Sequence, residues 1–420
     1  MVRTVLVALA SAVVIGGVAN AQSAPGAAGG KTVAVMTVTS AHGVTDAYAD
    51  CVRRYRWQPA QIAQECGGSK DGADGDRPPE FDPLQRGALY LTNAQTRDGL
   101  FRYEFNFLSS GYSRTVNVER QAGAGFGLAE YFLYSKDEST RDAVLASIEA
   151  YSAMSAPWQN GKLVTTDGDL NEARAGATAL ALLTELLYQE ASGDQRGKEI
   201  RKSWVLGLLA LYRQGRGFAE RPGANTESSS YNGEGWLALA YYDFLFPDDV
   251  FVSSVLDRLD EYLMRTSDER PNTRIFHWGV MAAAKRYEAT GDKKFAEFVA
   301  RQATAFLDKL RSRVRRHINS CASVEGLMAA AALLESAGIE KRLRSRVVKR
   351  AAEEMEKNIG FQIVPGQDQV MLGDERYLYS EEISKFAGAF LNGLYRPQVR
   401  IDYTQHCLSA MIKYRKFGPE

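Results

Sequence analysis

The sequence is poor in the residues that most often build metal and cofactor sites. It holds four cysteines and four histidines among 420 residues, and no Cys-x-x-Cys pair that would suggest zinc. Its 51 basic and 51 acidic residues cancel, so it lacks the basic excess typical of nucleic-acid-binding proteins. Gly-x-Ser-x-Gly, the signature of many serine hydrolases, is absent as well. We therefore expect no metal, no cofactor and no nucleic-acid partner.

Long hydrophobic runs are also scarce, and the main one lies at the N-terminus. Arg3 precedes an apolar stretch at 5–18, and Ala19-Asn-Ala is a small-x-small cleavage site of a secretory signal. The stretch is short for a transmembrane helix, although an uncleaved membrane anchor stays open as the alternative. We expect residues 1–21 to be removed and the mature protein to be exported, periplasmic or extracellular, without a stable membrane span.

The cysteines of an exported protein can form disulfides. Cys51 and Cys66 flank one helical segment, which makes them the first expected pair. Cys321 and Cys407 approach each other if the last two inner helices described below are neighbours. Four cysteines allow three connectivities, so the sequence leaves the pairing open.

From about Pro83 onward, apolar residues recur at spacings of three and four, which predicts a series of amphipathic helices. Residues 22–82 form a linker and an irregular extension, in which 31–40 favours one strand and 46–65 a helix. Residues 360–397 interrupt the helical pattern, either as a functional loop over the mouth of the fold or as a surface excursion. Twelve helices are predicted, at 83–96, 117–134, 138–154, 171–191, 195–213, 232–246, 249–266, 275–290, 293–311, 322–336, 339–358 and 400–416.

The even-numbered helices differ in composition from the odd-numbered ones. They are rich in small residues, as in the run Ala122-Gly-Ala-Gly-Phe-Gly, which lets helix backbones approach closely. The odd-numbered helices carry more charge, as in Glu340-Lys-Arg-Leu-Arg, which suits a face in contact with water. This alternation predicts an all-α fold, an (α/α)6 toroid of six helical hairpins over residues 83–420. Asp169 and Ser323 are expected to cap the fourth and tenth helices.

Acidic and imidazole side chains stand at or near the starts of the even-numbered helices. Examples are Glu234 in Ser230-Tyr-Asn-Gly-Glu-Gly-Trp, Glu325 in Ser323-Val-Glu-Gly-Leu and Asp402 in Arg400-Ile-Asp-Tyr-Thr-Gln-His. A charge that heads an apolar stretch is costly unless it is paired. Each carboxylate could instead serve only as a cap or interact with the helix dipole. In a toroid these six helix starts meet at one mouth of an axial funnel, which we predict to be the active site.

Two groups of site residues follow from this pattern. We predict catalytic carboxylates at Glu234 and Glu325 first, and then at Asp402 and Glu172, one protonating a leaving oxygen and another activating water or attacking directly. Asp402 and His406 share a helix face at i, i+4, which could orient the imidazole for proton transfer. The predicted substrate-binding residues offer charges, imidazoles or aromatic faces to a polyhydroxylated ligand, and they are Glu119, Arg120, Tyr231, Trp236, His277, Trp278, Arg400 and His406.

These motifs, with His277-Trp between them, resemble those of secreted bacterial proteins in the six-hairpin glycosidase-like superfamily. The likeness spans roughly residues 83 to 416. At the level of the fold, the chain is also similar to glucuronyl hydrolases and to the helical domain of glucuronyl C5-epimerases. The resemblance implies the toroid, and it implies carbohydrate processing only by analogy, because one fold serves many activities.

The expected function is therefore that of an exported glycoside hydrolase that acts on an oligo- or polysaccharide through paired carboxylates. A first alternative is a uronic-acid epimerase or a polysaccharide lyase. In such an enzyme a His or Tyr abstracts the proton beside the carboxylate while an Arg neutralises the charge. A second alternative is a non-catalytic glycan-binding or cell-envelope assembly protein.

Overall fold

A computed structural model describes residues 34–37, 82–228, 230–372 and 376–418. The predicted signal peptide, the predicted helix at 46–65 and the Cys51–Cys66 pair lie outside these ranges. Twelve α-helices occur within the described residues, as predicted. They are α1 (Pro83–Ala94), α2 (Val118–Ser135), α3 (Glu138–Ala153), α4 (Ala175–Ser192), α5 (Lys198–Leu211), α6 (Asn232–Leu245), α7 (Val250–Glu269), α8 (Thr273–Thr290), α9 (Lys293–Ala305), α10 (Cys321–Ser336), α11 (Lys341–Ile359) and α12 (Ile401–Phe417).

The even-numbered helices form a closed inner ring. Each packs against the next in chain order, from α2 through α4, α6, α8 and α10 to α12, and α12 returns to contact α2. The odd-numbered helices lie outside: α3, α5, α7, α9 and α11 each pack on the inner helix that precedes them, and α1 packs on α12. The molecule is therefore the (α/α)6 toroid that the composition of the helices predicted.

Small residues explain why six helices fit around one axis. The first fourteen residues of α4, Ala175 to Tyr188, are all buried, so this helix has no face left for water. At Gly326 in α10, an added Cβ would lie 2.9 Å from the Cα of His277 in α8. The outer helix α11, by contrast, buries one face and exposes charged residues on the other. No helix among the described residues has both the length and the apolarity needed to cross a bilayer.

The two predicted helix caps are wrong. Helix α4 begins at Ala175, and Asp169 instead accepts the backbone N–H of Asn171 (2.8 Å) within a turn that precedes the helix. Helix α10 begins at Cys321, so Ser323 already lies in its first turn. Asn319 supplies the side-chain oxygen at that end by accepting the N–H of Cys321 (3.0 Å). In both cases the helix starts at a different residue from the one that the predicted cap assumed, so that side chain is not at the capping position.

Short strands cover the connections between helices. Strand β1 (Ala34–Thr37) lies inside the predicted strand at 31–40. It pairs with β7 (Arg376–Tyr379), which in turn pairs with β6 (Gln369–Met371) in the same sheet. The segment that interrupts the helical pattern forms two pairs of strands, and its last strand, β9, runs directly into α12. The remaining strands are β2 (Glu104–Asn106), β3 (Gly111–Tyr112), β4 (Ser155–Trp158), β5 (Gly161–Val164), β8 (Leu391–Gly393) and β9 (Arg396–Arg400).

A disulfide joins the last two inner helices. Cys321, the first residue of α10, is bonded to Cys407 of α12 across a separation of 86 residues. This confirms that these two cysteines lie together in the fold. Closing a chain segment of this length reduces the entropy of the unfolded state by an amount equivalent to about 4 kcal/mol. Because Glu325 lies one turn after Cys321 and His406 directly precedes Cys407, the bond also fixes the spacing of two candidate site residues.

We predict that Gly326→Ala destabilises the fold by roughly 1–3 kcal/mol, because the new methyl group would force α8 and α10 apart. The matched control is Gly279→Ala in α8, where an added Cβ makes ordinary contacts at 3.6 Å. That change should leave stability unchanged or raise it by up to about 1 kcal/mol, through the higher helix propensity of alanine. Thermal unfolding of both variants is the measurement, and equal midpoints would contradict close backbone approach at Gly326.

Candidate active site

The starts of the inner helices meet at one mouth of the ring. Arg120 at the start of α2 forms a salt bridge with Asp402 at the start of α12 (Nε to Oδ2, 3.0 Å). In the first turns of α8 and α12, the rings of His277 and His406 lie with their centroids 5.4 Å apart. Glu325 of α10 lies between these two helices and contacts His406. The convergence that the sequence predicted is therefore present for α2, α8, α10 and α12.

The centre of this mouth is a cluster of Glu325, His277 and His406. The carboxylate of Glu325 is fully buried, and its Oε2 lies 2.9 Å from Nδ1 of His406. Its other oxygen, Oε1, is buried without a hydrogen-bond partner among the described residues, and so is Nε2 of His277. Buried polar atoms without partners are uncommon in folded proteins and often mark functional sites. The cluster thus holds two polar atoms that a ligand could satisfy.

The two imidazoles have opposite tendencies to bind a proton. Burial opposes the charged form of His406, but the adjacent Glu325 carboxylate outweighs it and raises the pKa of His406 above its usual value. Burial lowers the pKa of His277 well below its usual value, and the positive charge of His406 lowers it further. The surroundings thus favour the neutral form of His277 and the charged form of His406. Neighbouring groups with divergent pKa values are typical of acid–base catalysts.

A second acidic group lies at the starts of α2 and α6. The Glu234 side chain is buried, and burial, with a further contribution from Glu119, raises its pKa well above the usual value. Its Oε2 has no described partner. Burial also raises the pKa of Glu119, although hydrogen bonding to Tyr231 and the charge of Arg120 oppose the shift. The surroundings of Glu234 therefore favour its protonated, neutral form.

Asp402 is held in an ion-pair network. Arg400 binds both of its carboxylate oxygens, with Nε to Oδ1 at 2.6 Å and Nη2 to Oδ2 at 2.8 Å. Arg120 binds the same carboxylate and also donates to the hydroxyl of Tyr103 (2.5 Å). The two arginines that were predicted as substrate ligands are therefore already engaged in ion pairs, Arg400 also with Glu104 (3.7 Å). Tyr103 could not be foreseen from the sequence, because pairing between β2 and β9 brings it there.

The other predicted residues occupy different places. The Glu172 side chain is 58% exposed, with only a long contact of 3.8 Å to Arg174, and it lies outside the central cluster. Trp236 is fully buried and donates from Nε1 to Asp260 (2.6 Å), so the prediction that it binds substrate is wrong. The physical reason is the helical repeat: two residues rotate a side chain by about 200°, so Trp236 points away from the face that carries Glu234.

Trp278 forms part of the floor of the mouth. Its ring packs on His406, with centroids 5.9 Å apart, and on Phe126 at 5.8 Å. Beyond Phe126, toward the opposite ends of the inner helices, lies a cavity of about 680 Å³ with a largely apolar lining. A smaller cavity of about 190 Å³ includes His277 and the first turns of α8 and α10. The titratable cluster is thus on the side of the smaller cavity, and we place the active site there.

Two histidines and a carboxylate are also a possible ligand set for a divalent metal. In this cluster the candidate ligand atoms lie within 4.8 Å of one another. Two ligands bound to one tetrahedral ion at about 2 Å each would be roughly 3.3 Å apart, so the widest separation would have to close. The hydrogen bond between Glu325 and His406 already uses one possible ligand atom of each residue. The arrangement therefore fits a hydrogen-bonded acid–base cluster better than a metal centre.

The same (α/α)6 toroid is found in solved structures that this chain resembles at low sequence identity. A GH76A α-1,6-mannanase from Salegentibacter sp. superimposes with a TM-score of 0.60 at 12% identity, covering 80% of this chain and 98% of the mannanase. An unsaturated glucuronyl hydrolase specific for heparin gives 0.56 at 12% identity over 80% and 96%. The cellobiose 2-epimerase of Bacillus thermoamylovorans gives 0.56 at 9% identity over 78% and 97%.

Sequence comparison adds no closer relationship. No protein-family model matches the chain, and no curated protein matches it significantly. At identities of 9 to 12%, the similarity to the solved structures establishes the fold alone. Any conclusion about chemistry has to come from the residues of this chain.

We predict that Glu325→Gln lowers the pKa of His406 below the usual value for histidine. The substitution keeps the shape of the side chain but removes the negative charge that opposes the effect of burial on the imidazole. An NMR titration of the histidine ring protons would measure the shift. The exposed His317 lies outside the cluster, so its ring signals serve as the internal reference. An unchanged pKa at His406 would mean that Glu325 does not set its protonation state.

Proposed function

We propose that this protein is a carbohydrate-active enzyme that transfers a proton at a carbon atom of a sugar, as an epimerase does. The single observation that carries the proposal is the His277–His406 pair, whose ring centroids lie 5.4 Å apart and whose pKa values are shifted in opposite directions. Such a pair contains both partners that acid–base chemistry at carbon requires. The structural similarity to sugar epimerases of the same fold supports the proposal as an analogy.

The roles of the residues follow from their contacts. His277, whose neutral form is favoured by burial, accepts the proton released when a C–H bond beside a carbonyl or carboxylate group of the sugar breaks, and the electron pair passes into that group as an enolate. His406 bonds to Glu325 through Nδ1, which leaves its Nε2–H as the donor that returns a proton to the same carbon on the opposite face. Glu325 holds the imidazole in place and stabilises its positive charge, so it acts as a positioning residue. The net reaction inverts one carbon and leaves the composition of the sugar unchanged.

Two carboxylates that were predicted to be catalytic have other roles in this proposal. The oxygen of Glu325 that reaches His406 is occupied, and the whole side chain is buried, so it is poorly placed to activate water directly. Asp402 is neutralised by two arginines and orders the start of α12. The histidines, which the sequence placed among the binding residues, thus become the catalytic pair.

The test is solvent deuterium incorporation into a panel of neutral and acidic oligosaccharides, read by mass spectrometry. We expect a gain of one mass unit at the exchanging carbon, without cleavage. His277→Asn and His406→Asn should each lower the exchange rate by about 10²- to 10⁴-fold. The wild-type rate should fall at low pH, where His277 gains a proton, and at high pH, where His406 loses one.

The control variant is His317→Asn, which changes an exposed histidine outside the cluster and should keep full activity. Exchange that survives in both catalytic variants would refute the assignment. Cleavage that yields an unsaturated product absorbing in the ultraviolet would show a lyase instead. Tight binding without exchange or cleavage at any enzyme concentration would support a glycan-binding protein.

Glycoside hydrolysis is the second candidate, and Glu234 is the observation that favours it. A buried carboxylic acid that keeps its proton can protonate a glycosidic oxygen, and the nearby Glu119 could activate water. If this is the reaction, Glu234→Gln should lower cleavage by at least about 10²-fold, because it removes the general acid while conserving shape. The measurement is a mass gain of one water per bond broken. Unimpaired cleavage by this variant would exclude Glu234 as the acid.

We also propose that the chain is exported to the periplasm or the cell exterior. The N-terminal signal pattern supports this, and the disulfide between Cys321 and Cys407 is of the kind that oxidising compartments maintain. Cell fractionation with detection of the mature N-terminus tests it, and a full-length protein retained in the cytoplasm would refute it.

A further inference from the structure

Beside the histidine cluster lies a cavity whose lining is strongly basic. The cavity measures about 190 Å³ and is located between the first turns of α8 and α10 and the segment that joins α9 to α10. We call it the arginine pocket. The lining residues on which the argument depends are Arg274, Arg311, Arg313, Arg315, His277 and Glu354.

The positive charge of the arginine pocket is not balanced from within. Glu354 is the acidic residue of the lining, and it is already bound by Arg350 (3.0 Å) and Lys357 (2.7 Å). The four lining arginines form no ion pair within the described ranges. Arg274, Arg313 and Arg315 are exposed, and Arg311 is half-buried, so an anion from solution can reach them. The pocket thus brings four positive charges together without acidic ion-pair partners among the described residues.

The crowding has a visible electrostatic effect. Partial burial lowers the pKa of Arg311, and the like charges of Arg315 and Arg350 lower it further, although the carboxylate of Glu354 opposes the shift. Repulsion of this kind is relieved when an anion binds between the cations. Guanidinium groups are suited to the task, because their planar donors match the oxygens of carboxylate and sulfate groups.

The helices add to the same potential. Thr273 and Arg274 lie in the first turn of α8, and Ala322 and Ser323 lie in the first turn of α10. The N-terminal ends of both helices therefore point their positive dipole ends at the arginine pocket. His277 belongs to the lining as well, so a group bound in the pocket lies next to the base of the proposed reaction.

We propose that the arginine pocket binds the anionic group of an acidic sugar, either the carboxylate of a uronic acid or a sulfate ester, next to the residue held at the histidine cluster. This assignment rests on the proposed function for its catalytic meaning, whereas the binding itself does not. A uronate carboxylate would also assist the chemistry. When the adjacent C–H bond breaks and its proton passes to His277, the electron pair spreads into the carboxylate, where the arginines stabilise it. A proton from His406 then completes the exchange.

The arginines that the sequence offered for this purpose differ from those of the pocket. Arg120 and Arg400 form ion pairs with Asp402, as described above. Arg311 ends the predicted helix at 293–311, and Arg313 and Arg315 follow it in a connection with no regular pattern, so periodicity offered no reason to place them at the mouth. The substrate class is therefore inferred from the charge that the fold leaves uncompensated.

The experiment is calorimetric titration of the full chain with three oligosaccharides of equal length: an oligogalacturonate, a sulfated glucan and an unmodified glucan. We expect at least one acidic ligand to bind ten times or more tighter than the neutral one. The double variant Arg313→Ala, Arg315→Ala should weaken acidic binding about 100-fold, or roughly tenfold per charge-assisted contact, and leave neutral binding unchanged. Added salt should weaken acidic binding in the wild type more than in the variant.

A charge-matched control is Lys202→Ala with Arg258→Ala, which removes two exposed cations from the outer helices α5 and α7. It should change the affinity less than about threefold, and circular dichroism would show that both double variants are folded. Preference for the uronate or for the sulfated ligand identifies which anion the pocket serves. Equal affinity for acidic and neutral ligands, or equal losses in the two double variants, would overturn the proposal.

The outcomes also separate this inference from the proposed function. Acidic ligands that bind through Arg313 and Arg315 but never incorporate deuterium would support the pocket and overturn the epimerase assignment. Deuterium exchange that proceeds equally well on neutral sugars, and is unaffected in the arginine variant, would support the epimerase and overturn the pocket.

Discussion

The close approach of six helix backbones around one axis is the constraint on which the rest of this structure depends. Alanine and glycine make it possible, and at Gly326 the margin between α10 and the backbone of α8 is too small for even one methyl group. This closeness brings the first turns of inner helices together at one mouth. Ionisable groups that enter such a mouth lose most of their water, and burial shifts the pKa values of Glu234, His277 and Glu119. Packing and electrostatics are therefore two consequences of the same small side chains.

The fold handles buried charge in two different ways. In the layer between the inner and outer helices, buried charges occur in ion pairs, as where Arg286 binds both Asp243 (2.6 Å) and Asp260 (2.8 Å). At the mouth, compensation is incomplete, because Glu325, His277 and Glu234 each keep a buried polar atom without a described partner. Unsatisfied groups cost stability. The disulfide between Cys321 and Cys407 offsets part of that cost by holding together the two helices that carry Glu325 and His406.

Charge is also distributed unevenly on a chain that is neutral as a whole. Around Asp402, arginine and carboxylate neutralise each other and order the start of α12. A short distance away, the arginine pocket collects cations that have no such partners. Between these regions lies the histidine pair, so the mouth combines an acid, a base and a positive potential. Together these features favour chemistry on an acidic sugar over chemistry on a neutral one.

The sequence by itself determined the helices, their alternation and therefore the toroid, because apolar spacing and small residues are local properties that survive any change of context. It also indicated Glu234, Glu325, His277 and His406 as candidate site residues, because an acid or an imidazole at the head of an apolar stretch is costly unless it is paired. Only the tertiary structure decided what each group does. In the folded chain, Asp402 forms ion pairs with Arg120 and Arg400, and Trp236 points into the core. Glu325 contacts His406, and the arginines of an irregular connection lie beside His277. These outcomes depend on contacts between residues tens to hundreds of positions apart and on the loss of hydration of each group. Neither the contacts nor the hydration can be predicted from local sequence.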